Sequence, residues 1–369
     1  MIERILIAGG GTGGHVYPAV AVAEEVLARN PEAQILFIGT ERGMEARILP
    51  KLGYALRTIT VSRLKGGGLF TRLLGLMRIP VAMFQSWRIM AKLKPQVVLG
   101  VGGYASGPTL LTAWLTLRRT AIQEQNATPG FTNRVLSKIA KRVFVGFAAA
   151  KAHFKASKVL ETGNPLRMSV KRSLEDGGLR DFSEGQNLRL LIFGGSQGAR
   201  FLNEQVPALI QAFKKQHPDV QLTVIHQTGV HDLESTHARY ESGDLDASTW
   251  KVTAYIDDMA SAYANADLAI TRAGALTIAE LMAVGMPSLL VPFPFAADNH
   301  QEANARSLLV RGACHMVRQS EWKEGEIVDW LSDLTEDRQK LIEMSRAARG
   351  EARLDAAPTI VDHLEELAA

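Results

Sequence analysis

The 369-residue sequence has only one cysteine, Cys314, which excludes an intramolecular disulfide and is typical of a protein from a reducing compartment. The N-terminal residues lack the basic region and the cleavage pattern of a signal peptide, so we expect none. Residues 96–117 carry no charge. Glycines and Pro108 interrupt this stretch, however, and predict a strand, a loop and a helix rather than a membrane span.

Acidic residues are missing from residues 46–123, and this gap is part of a wider asymmetry of charge. Residues 1–160 hold 22 Lys and Arg against 7 Asp and Glu, whereas residues 161–369 hold 20 against 31. A half-chain this basic indicates an anionic partner, such as nucleic acid, phospholipid or a phosphorylated substrate. The change of sign also predicts a domain boundary near the hinge motif Gly163-Asn164-Pro165.

Short apolar runs alternate with helix-length segments in both halves of the chain, which predicts right-handed βαβ units and parallel sheets. We therefore expect an α/β protein with two Rossmann-like domains, residues 1–163 and 164–353. A final helix at about 354–369 is expected to pack back on the first domain. Pro80 and Pro358 are expected to interrupt helices. The predicted strands are residues 5–8, 34–38, 56–61, 97–100, 120–123, 143–145, 190–193, 221–226, 251–254, 268–271 and 288–291.

The first glycine-rich loop, residues 9–15, follows a predicted strand and precedes a predicted helix. Glycines there let a ligand approach the backbone, and the helix N-terminus attracts an anion. The loop also fits the dinucleotide-binding spacing G-x-G-x-x-G. The second strand ends without the acidic residue that a ribose needs, and Glu41 is only approximately placed, which weighs against NAD. A tight turn without a ligand is the alternative.

Two further loops have the same strand–loop–helix context. In residues 194–198 the hydroxyl of Ser196 would add a donor to the backbone N–H groups. In residues 272–280 the first N–H groups of the helix would face a diphosphate, and Glu280 could accept from two ribose hydroxyls. The alternative for Glu280 is an acid that only stabilises the first turns of its helix.

The loop at residues 292–301 carries Asp298, Asn299, His300 and Gln301, a polar cluster that suits the hydroxyls of a sugar. The alternative for Asp298 is a simple helix N-cap. Asp244-Leu245-Asp246 matches the D-x-D pattern of metal-dependent sugar transferases, but it lies in a polar stretch away from the glycine loops. We interpret it as a solvated loop and expect neither a metal nor another cofactor.

The order of these motifs resembles that of the bacterial peptidoglycan N-acetylglucosaminyltransferases, which have the GT-B fold of two Rossmann-like domains facing across a cleft. The resemblance spans nearly the whole chain, although Gln123 stands where members often have histidine. It implies inverting transfer of GlcNAc from UDP-GlcNAc to the C4 hydroxyl of the muramoyl-pentapeptide of lipid I, which gives lipid II. The motifs that carry it are residues 10–18, 102–108, 124–126, 163–167, 194–200 and 274–280.

The resemblance also implies roles for individual residues. The diphosphate would be held by Ser196 and the backbone of residues 275–277, and the ribose by Glu280. The backbone of Ile256 would contact the uracil edge, and Tyr255 would cover the uracil ring. Arg167 would contact the nucleotide, and other residues would bind GlcNAc. The full set implied for substrate binding is Thr12, Gly13, Gly14, Asn126, Arg167, Ser196, Ile256, Ala275, Leu276, Thr277, Ile278, Ala279, Glu280 and Gln301.

Direct displacement needs a base for the attacking hydroxyl and stabilisation of the departing diphosphate. His15 is the best candidate for the catalytic base, because it ends a glycine loop and histidine is the residue type whose unperturbed pKa, about 6.5, is nearest to neutral pH. In the alternative, His15 only orients the acceptor diphosphate or caps its helix.

Two rival functions are another GT-B UDP-sugar enzyme, such as a UDP-GlcNAc 2-epimerase or lipid glucosyltransferase, and a basic nucleic-acid-binding protein.

The lipid acceptor implies a peripheral protein at the cytoplasmic face of the plasma membrane. Residues 63–94 combine seven basic residues with many large apolar ones and no acid, a composition typical of a segment attracted to anionic lipid. The alternative is a core helix with a solvated basic face. We thus expect UDP-GlcNAc, lipid I and an anionic membrane surface as partners and no nucleic acid; the sequence identifies no protein partner.

Overall fold

The computed structural model describes residues 1–61, 69–175, 182, 187–195, 197–243 and 245–369. The chain forms two compact units. The first consists of Met1–Met168 together with Arg353–Ala369, and the second of Ser169–Ala352. The C-terminal segment therefore belongs to the same unit as the N-terminal segment.

The first unit is built on a seven-stranded sheet of described residues, in the order β3-β2-β1-β4-β5-β6-β7, with every neighbouring pair parallel. Its central strands are apolar on both faces, as helices on both sides of a sheet require. The strands are β1 (Arg4–Ala8), β2 (Gln34–Gly39), β3 (Ala55–Thr58), β4 (Val97–Gly100), β5 (Arg119–Glu124), β6 (Arg142–Val145) and β7 (Val159–Glu161).

The second unit repeats this plan with six strands, in the order β10-β9-β8-β11-β12-β13, again parallel throughout the described part. Its core includes Leu190, Ile192 and Ile270, which are at most 2% exposed. The strands are β8 (Asn187–Phe193), β9 (Gln221–Gln227), β10 (Trp250–Thr253), β11 (Leu268–Thr271), β12 (Ser288–Leu290) and β13 (His315–Met316).

Helices connect the strands of both sheets, as parallel pairing demands. In chain order they are α1 (Gly13–Arg29), α2 (Glu45–Lys51), α3 (Leu69–Leu93), α4 (Ser106–Leu115), α5 (Phe131–Leu136), α6 (Met168–Glu175), α7 (Arg200–Gln216), α8 (Leu233–Glu241), α9 (Met259–Ala264), α10 (Ala275–Val284), α11 (His300–Leu309), α12 (Glu324–Glu336), α13 (Arg338–Gly350) and α14 (Ala356–Ala368). None of these described helices is long and apolar enough to cross a membrane.

Helix α14 packs on the first unit through both its apolar and its charged side chains. Ile360, Val361 and Leu364 are fully buried in the core that contains β1 and α1. At the edge of this contact, the guanidinium of Arg29 in α1 lies 2.6 Å from a carboxylate oxygen of Asp362. The apolar face supplies most of the stabilisation, because an ion pair this accessible contributes little.

The structure differs from the sequence-based expectations at a few elements. Strands β7 and β13 were not predicted, since they are only three and two residues long and contain Glu161 and His315. The two proline predictions were wrong. Helix α3 runs through Pro80, and Pro358 lies in the first turn of α14, where its missing N–H has no acceptor within the helix.

Candidate active site

Each sheet has a point at which its strand order reverses, between β1 and β4 in the first unit and between β8 and β11 in the second. In open α/β sheets, ligands bind beyond the carboxyl ends of the strands at such a point. The loops there are residues 9–12 and 101–105 in the first unit and residues 194–199 and 272–274 in the second. The glycine-rich loops singled out in the sequence therefore coincide with both reversals.

In the first unit, the loops after β1 and β4 touch through glycines. Gly103 has a φ of +82°, and a Cβ there would overlap the carbonyl oxygen of Gly10. A Cβ on Gly102 would lie 2.9 Å from Nε2 of His15. The His15 ring therefore lies against the loop after β4. This close approach requires glycine at both position 102 and position 103.

His15 lies in the first turn of α1, which begins at Gly13, earlier than the sequence indicated. Its Nδ1 is 3.1 Å from the carbonyl oxygen of Gly10 and 3.4 Å from Oγ1 of Thr12. A carbonyl oxygen can only accept, so Nδ1 carries the proton in this hydrogen bond. In the neutral ring the lone pair is then on Nε2, the nitrogen beside Gly102.

A buried carboxylate that the sequence did not reveal lies beneath this loop. Glu45, in the first turn of α2, is 1% exposed. Its Oε2 accepts from the N–H of Gly11 at 2.7 Å, and its Oε1 accepts from the N–H and the hydroxyl of Thr40, both at 2.8 Å. A Cβ on Gly10 or Gly43 would overlap the carboxyl group. Glu45 thus ties the first glycine loop to the end of β2.

Asn126 is held by a second buried carboxylate, Glu124, at the end of β5. Glu124 is 2% exposed. It accepts from the backbone N–H and the side-chain amide of Asn126, from the N–H of Gly130, and from Nδ2 of Asn133 at 2.9 Å. Gln123 donates to Asn164 at 3.0 Å and is buried, so it has a structural contact at this position.

The other predicted residues of the first unit lie at the same carboxyl edge. Thr12 is the exposed N-cap residue of α1, and Gly13 and Gly14 begin the helix. The guanidinium carbon of Arg167 lies 5.1 Å from the ring centroid of Tyr17, in α1, in the geometry of a cation–π contact. Arg167 therefore lies near the start of α1.

In the second unit, α10 begins directly after the loop that follows β11. Gly274 is its N-cap, and the first N–H group that bonds within the helix is that of Ile278, to the carbonyl of Gly274. The N–H groups of residues 275–277 have no acceptor within the helix, so they point out of its N-terminus, where an anion is favoured. Ala279 follows in the second turn and is buried.

Glu280 also lies in α10 and is 5% exposed. Its Oε2 accepts from the hydroxyl of Tyr263, which is 1% exposed, at 3.0 Å. Tyr263 holds one carboxylate oxygen in place, as a residue that binds a pair of hydroxyls would need. Ile256, half-buried, and the exposed Tyr255 follow β10 at the same edge of the sheet.

A cavity of about 400 Å³ opens between the loops of the second unit. One of its walls is Arg272, a buried cation that the sequence analysis did not assign to the site. Its guanidinium donates to the carbonyls of Val291 and Pro292 and to Gln319, and burial lowers its pKa to about 10. The cavity is lined by Gly194, Gly198, Ala199, Arg200, Phe201, Glu204, Arg272, Phe293, Gln301 and Gln319.

Gln301 is the member of the predicted sugar cluster that lines this cavity. Its Oε1 accepts from the N–H of Phe293 at 2.9 Å, which orients the amide. His300 instead contacts the carbonyl of Ala297 through Nδ1 at 2.6 Å. Asn304 is fully buried and donates to the carbonyl of Ala273, so it links α11 to the loop before α10.

Two predicted features lie wholly or partly outside the described residues, namely Ser196 and the first aspartate of Asp244-Leu245-Asp246. Asp246 is exposed and accepts from the N–H and the hydroxyl of Ser248, which lowers its pKa. Within the described ranges, no three His, Cys, Asp or Glu side chains form a group that could hold a metal ion.

Both units match models of one family. The glycosyltransferase family 28 N-terminal domain matches residues 5–145, and its C-terminal domain matches residues 189–360. The UDP-N-acetylglucosamine–N-acetylmuramyl-(pentapeptide) pyrophosphoryl-undecaprenol N-acetylglucosamine transferase of Myxococcus xanthus is 44% identical over 359 residues, which cover 97% of this chain and 91% of that protein.

Solved structures agree with the family match. The crystal structure of Acinetobacter baumannii MurG has a TM-score of 0.80 at 35% identity and covers 99% of both chains. The UDP-GlcNAc 2-epimerase of Neisseria meningitidis, bound to UDP-GlcNAc, has a TM-score of 0.68 at 12% identity and covers 98% of this chain and 99% of its own. The second likeness is one of fold alone.

Proposed function

This chain belongs to glycosyltransferase family 28, and from that premise we propose that it catalyses the reaction for which its curated relatives are named. It is an N-acetylglucosaminyltransferase of the GT-B fold. It transfers GlcNAc from UDP-GlcNAc to the C4 hydroxyl of the muramoyl-pentapeptide of lipid I, with inversion, and forms lipid II. The observation that carries this proposal is 44% identity over 97% of the chain, against 12% for the epimerase.

UDP-GlcNAc binds at the carboxyl edge of the second sheet. The N-terminus of α10, at residues 275–277, receives the diphosphate and stabilises it as it departs, because its N–H groups and dipole favour negative charge. Ser196 would add its hydroxyl. Glu280, held by Tyr263, accepts from the ribose hydroxyls. The backbone of Ile256 contacts the uracil edge. Arg167, which the family resemblance links to the nucleotide, lies beside Tyr17 of α1 in the first unit.

Each unit contributes its own candidates for contacts with the GlcNAc ring, as the family resemblance implies. Gln301 faces the cavity in the second unit with its amide oriented by Phe293. Asn126, in the first unit, is held by the Glu124 carboxylate. Thr12, Gly13 and Gly14, at the start of α1, are the other candidates in the first unit. Each of these residues can donate to or accept from the hydroxyls and the acetamido group of GlcNAc.

His15 is the catalytic base that takes the proton of the attacking C4 hydroxyl. Its hydrogen bond to the Gly10 carbonyl places the proton on Nδ1 and the lone pair on Nε2. Nε2 is the nitrogen that faces the loop after β4, beside Gly102. This tautomer and the position of the ring support the proposal that His15 is the base.

The enzyme is a peripheral protein of the cytoplasmic membrane face, and α3 is its contact with anionic lipid. Met77, Val81, Phe84 and Trp87 recur at helical spacing and are 48–68% exposed. The opposite face of α3 carries the buried residues 82, 86 and 90. Arg88 lies beside the apolar stripe and is exposed. Arg63 and Lys65 lie outside the described residues, and the structure does not describe the side chain of Arg72.

A transfer assay tests this function, and a nucleic-acid mobility-shift experiment is run beside it. The protein is incubated with labelled UDP-GlcNAc and a short-chain lipid I analogue, and products are separated by chromatography. We expect label in the disaccharide product and release of UDP in equal amount. Formation of UDP-ManNAc without acceptor would indicate an epimerase instead, and a salt-dependent mobility shift with DNA or RNA would indicate the nucleic-acid class.

A further inference from the structure

One peptide group lies between the buried carboxylate of Glu45 and the ring of His15. The N–H of Gly11 donates to Oε2 of Glu45 at 2.7 Å, and the carbonyl of Gly10 is 3.1 Å from Nδ1 of His15. This N–H and this carbonyl belong to the same peptide bond, the one that joins Gly10 to Gly11. A carboxylate, a peptide and an imidazole are thus connected in one chain of hydrogen bonds.

We propose that Glu45 is a positioning residue for His15 and acts through the Gly10–Gly11 peptide. A carboxylate that accepts from the N–H of an amide polarises that amide, and its carbonyl becomes a stronger acceptor. The stronger carbonyl holds the proton on Nδ1 and stabilises the imidazolium that forms when Nε2 takes a proton. In other enzymes, a carboxylate that accepts directly from a catalytic histidine fixes the tautomer of the ring and stabilises the imidazolium. Glu45 has the same two effects through the intervening peptide.

The surroundings of Glu45 are built for this contact. Gly10, Gly39 and Gly43 all lie where a Cβ would overlap the Glu45 side chain. Glu45 is only 1% exposed, so water does not compete with its carboxylate for the N–H of Gly11. Both carboxylate oxygens accept from donors, and one oxygen is directed at the loop that carries His15. If Glu45 only connected the end of β2 to α2, its contacts with Thr40 would be sufficient. The contact with the N–H of Gly11 would not be required.

The proposal rests on His15 as the base, and its first test is spectroscopic. Long-range ¹H–¹⁵N correlation spectra of the imidazole distinguish the two neutral tautomers at a pH where the ring is unprotonated. In the wild-type protein we expect the Nδ1–H form of His15. A wild-type ring that carries its proton on Nε2 would overturn the proposal without any variant, because the Gly10 carbonyl would then receive no proton.

Glu45→Gln keeps the shape of the side chain and removes its charge. We expect a mixture of tautomers at His15 and a kcat reduced by roughly 10- to 100-fold, the scale on which indirect partners of a functional histidine act. The KM for UDP-GlcNAc should stay near the wild-type value. Thr40→Val is the matched control, since it removes the hydroxyl contact with Oε1 and leaves the Gly11 contact intact. Equal losses of kcat in both variants would mean a structural role only.

A double-mutant cycle separates this proposal from the role of His15 itself. In a His15→Ala background, Glu45→Gln should cause no further loss of kcat. If it lowers the rate of His15→Ala as much as that of wild type, Glu45 does not act through the imidazole. If His15→Ala alone costs less than about tenfold, the base assignment fails, while the tautomer spectra still decide whether Glu45 orients the ring.

Discussion

Glu280→Ala is the substitution that tests the donor site most directly. The carboxylate is 5% exposed, so any hydrogen bond it makes to ribose hydroxyls is shielded from water. Hydrogen bonds to a charged group contribute about 1.5–3 kcal/mol, and their loss should weaken UDP binding about 10- to 100-fold. We expect the KM for UDP-GlcNAc to rise by a similar factor. Titration calorimetry with UDP measures the affinity without any acceptor.

The same substitution removes the acceptor of the buried Tyr263 hydroxyl, so stability must be measured beside affinity. Tyr263→Phe is the control, because it removes that hydroxyl and keeps the carboxyl group itself. It should cost about 1 kcal/mol of unfolding free energy and weaken UDP binding less than Glu280→Ala does, since the carboxylate loses one positioning contact and keeps its charge. Wild-type UDP affinity in a folded Glu280→Ala protein would refute the ribose assignment.

Three further predictions concern catalysis, the membrane and pH. His15→Ala should lower kcat by about 100- to 10,000-fold with little change in donor KM, which steady-state kinetics measures. Replacing Phe84 and Trp87 with Ser should weaken co-sedimentation with anionic vesicles by at least about tenfold and spare activity on a short soluble acceptor; Val310→Ser, an exposed control, should change neither. Burial lowers the pKa of His226 to about 3, so only the unfolded chain gains its proton near pH 6.5. Unfolding free energy should therefore fall by up to about 1.4 kcal/mol from pH 7.5 to 5.5, and by less in His226→Gln, in urea titrations.

The strands that could be predicted from the sequence are those buried on both faces of their sheet. Strand β4 and strand β11 agree residue for residue with the predicted runs, because continuous Val, Leu and Ile are what such strands need. Strands β7 and β13 are partly exposed, so they carry no such pattern. Helix α3 continues through Pro80 although proline disfavours a helix interior, since tertiary packing overrides local propensity.

The site could be predicted only where chemistry is local in the sequence. Short motifs in the sequence show the glycine loops between a strand and a helix. They also show Glu280, one turn into α10. Glu45 is separated from Gly11 by 34 residues, and no local pattern indicates that the two make a hydrogen bond. Arg272 was visible in its motif, but its burial against the carbonyls after β12 depends on the folded sheet.

The two strand-order reversals have the same topology and different chemistry, and the difference lies in what the backbone N–H groups contact. At α10, the N–H groups of residues 275–277 point out of the helix N-terminus, so a diphosphate can receive them. At the first loop, the N–H of Gly11 donates to a buried carboxylate instead. An anionic group of the acceptor could use the N–H groups at Gly13 and Gly14, but not that of Gly11. The loop after β1 is therefore suited to hold a base in position, and the N-terminus of α10 is suited to bind the leaving group.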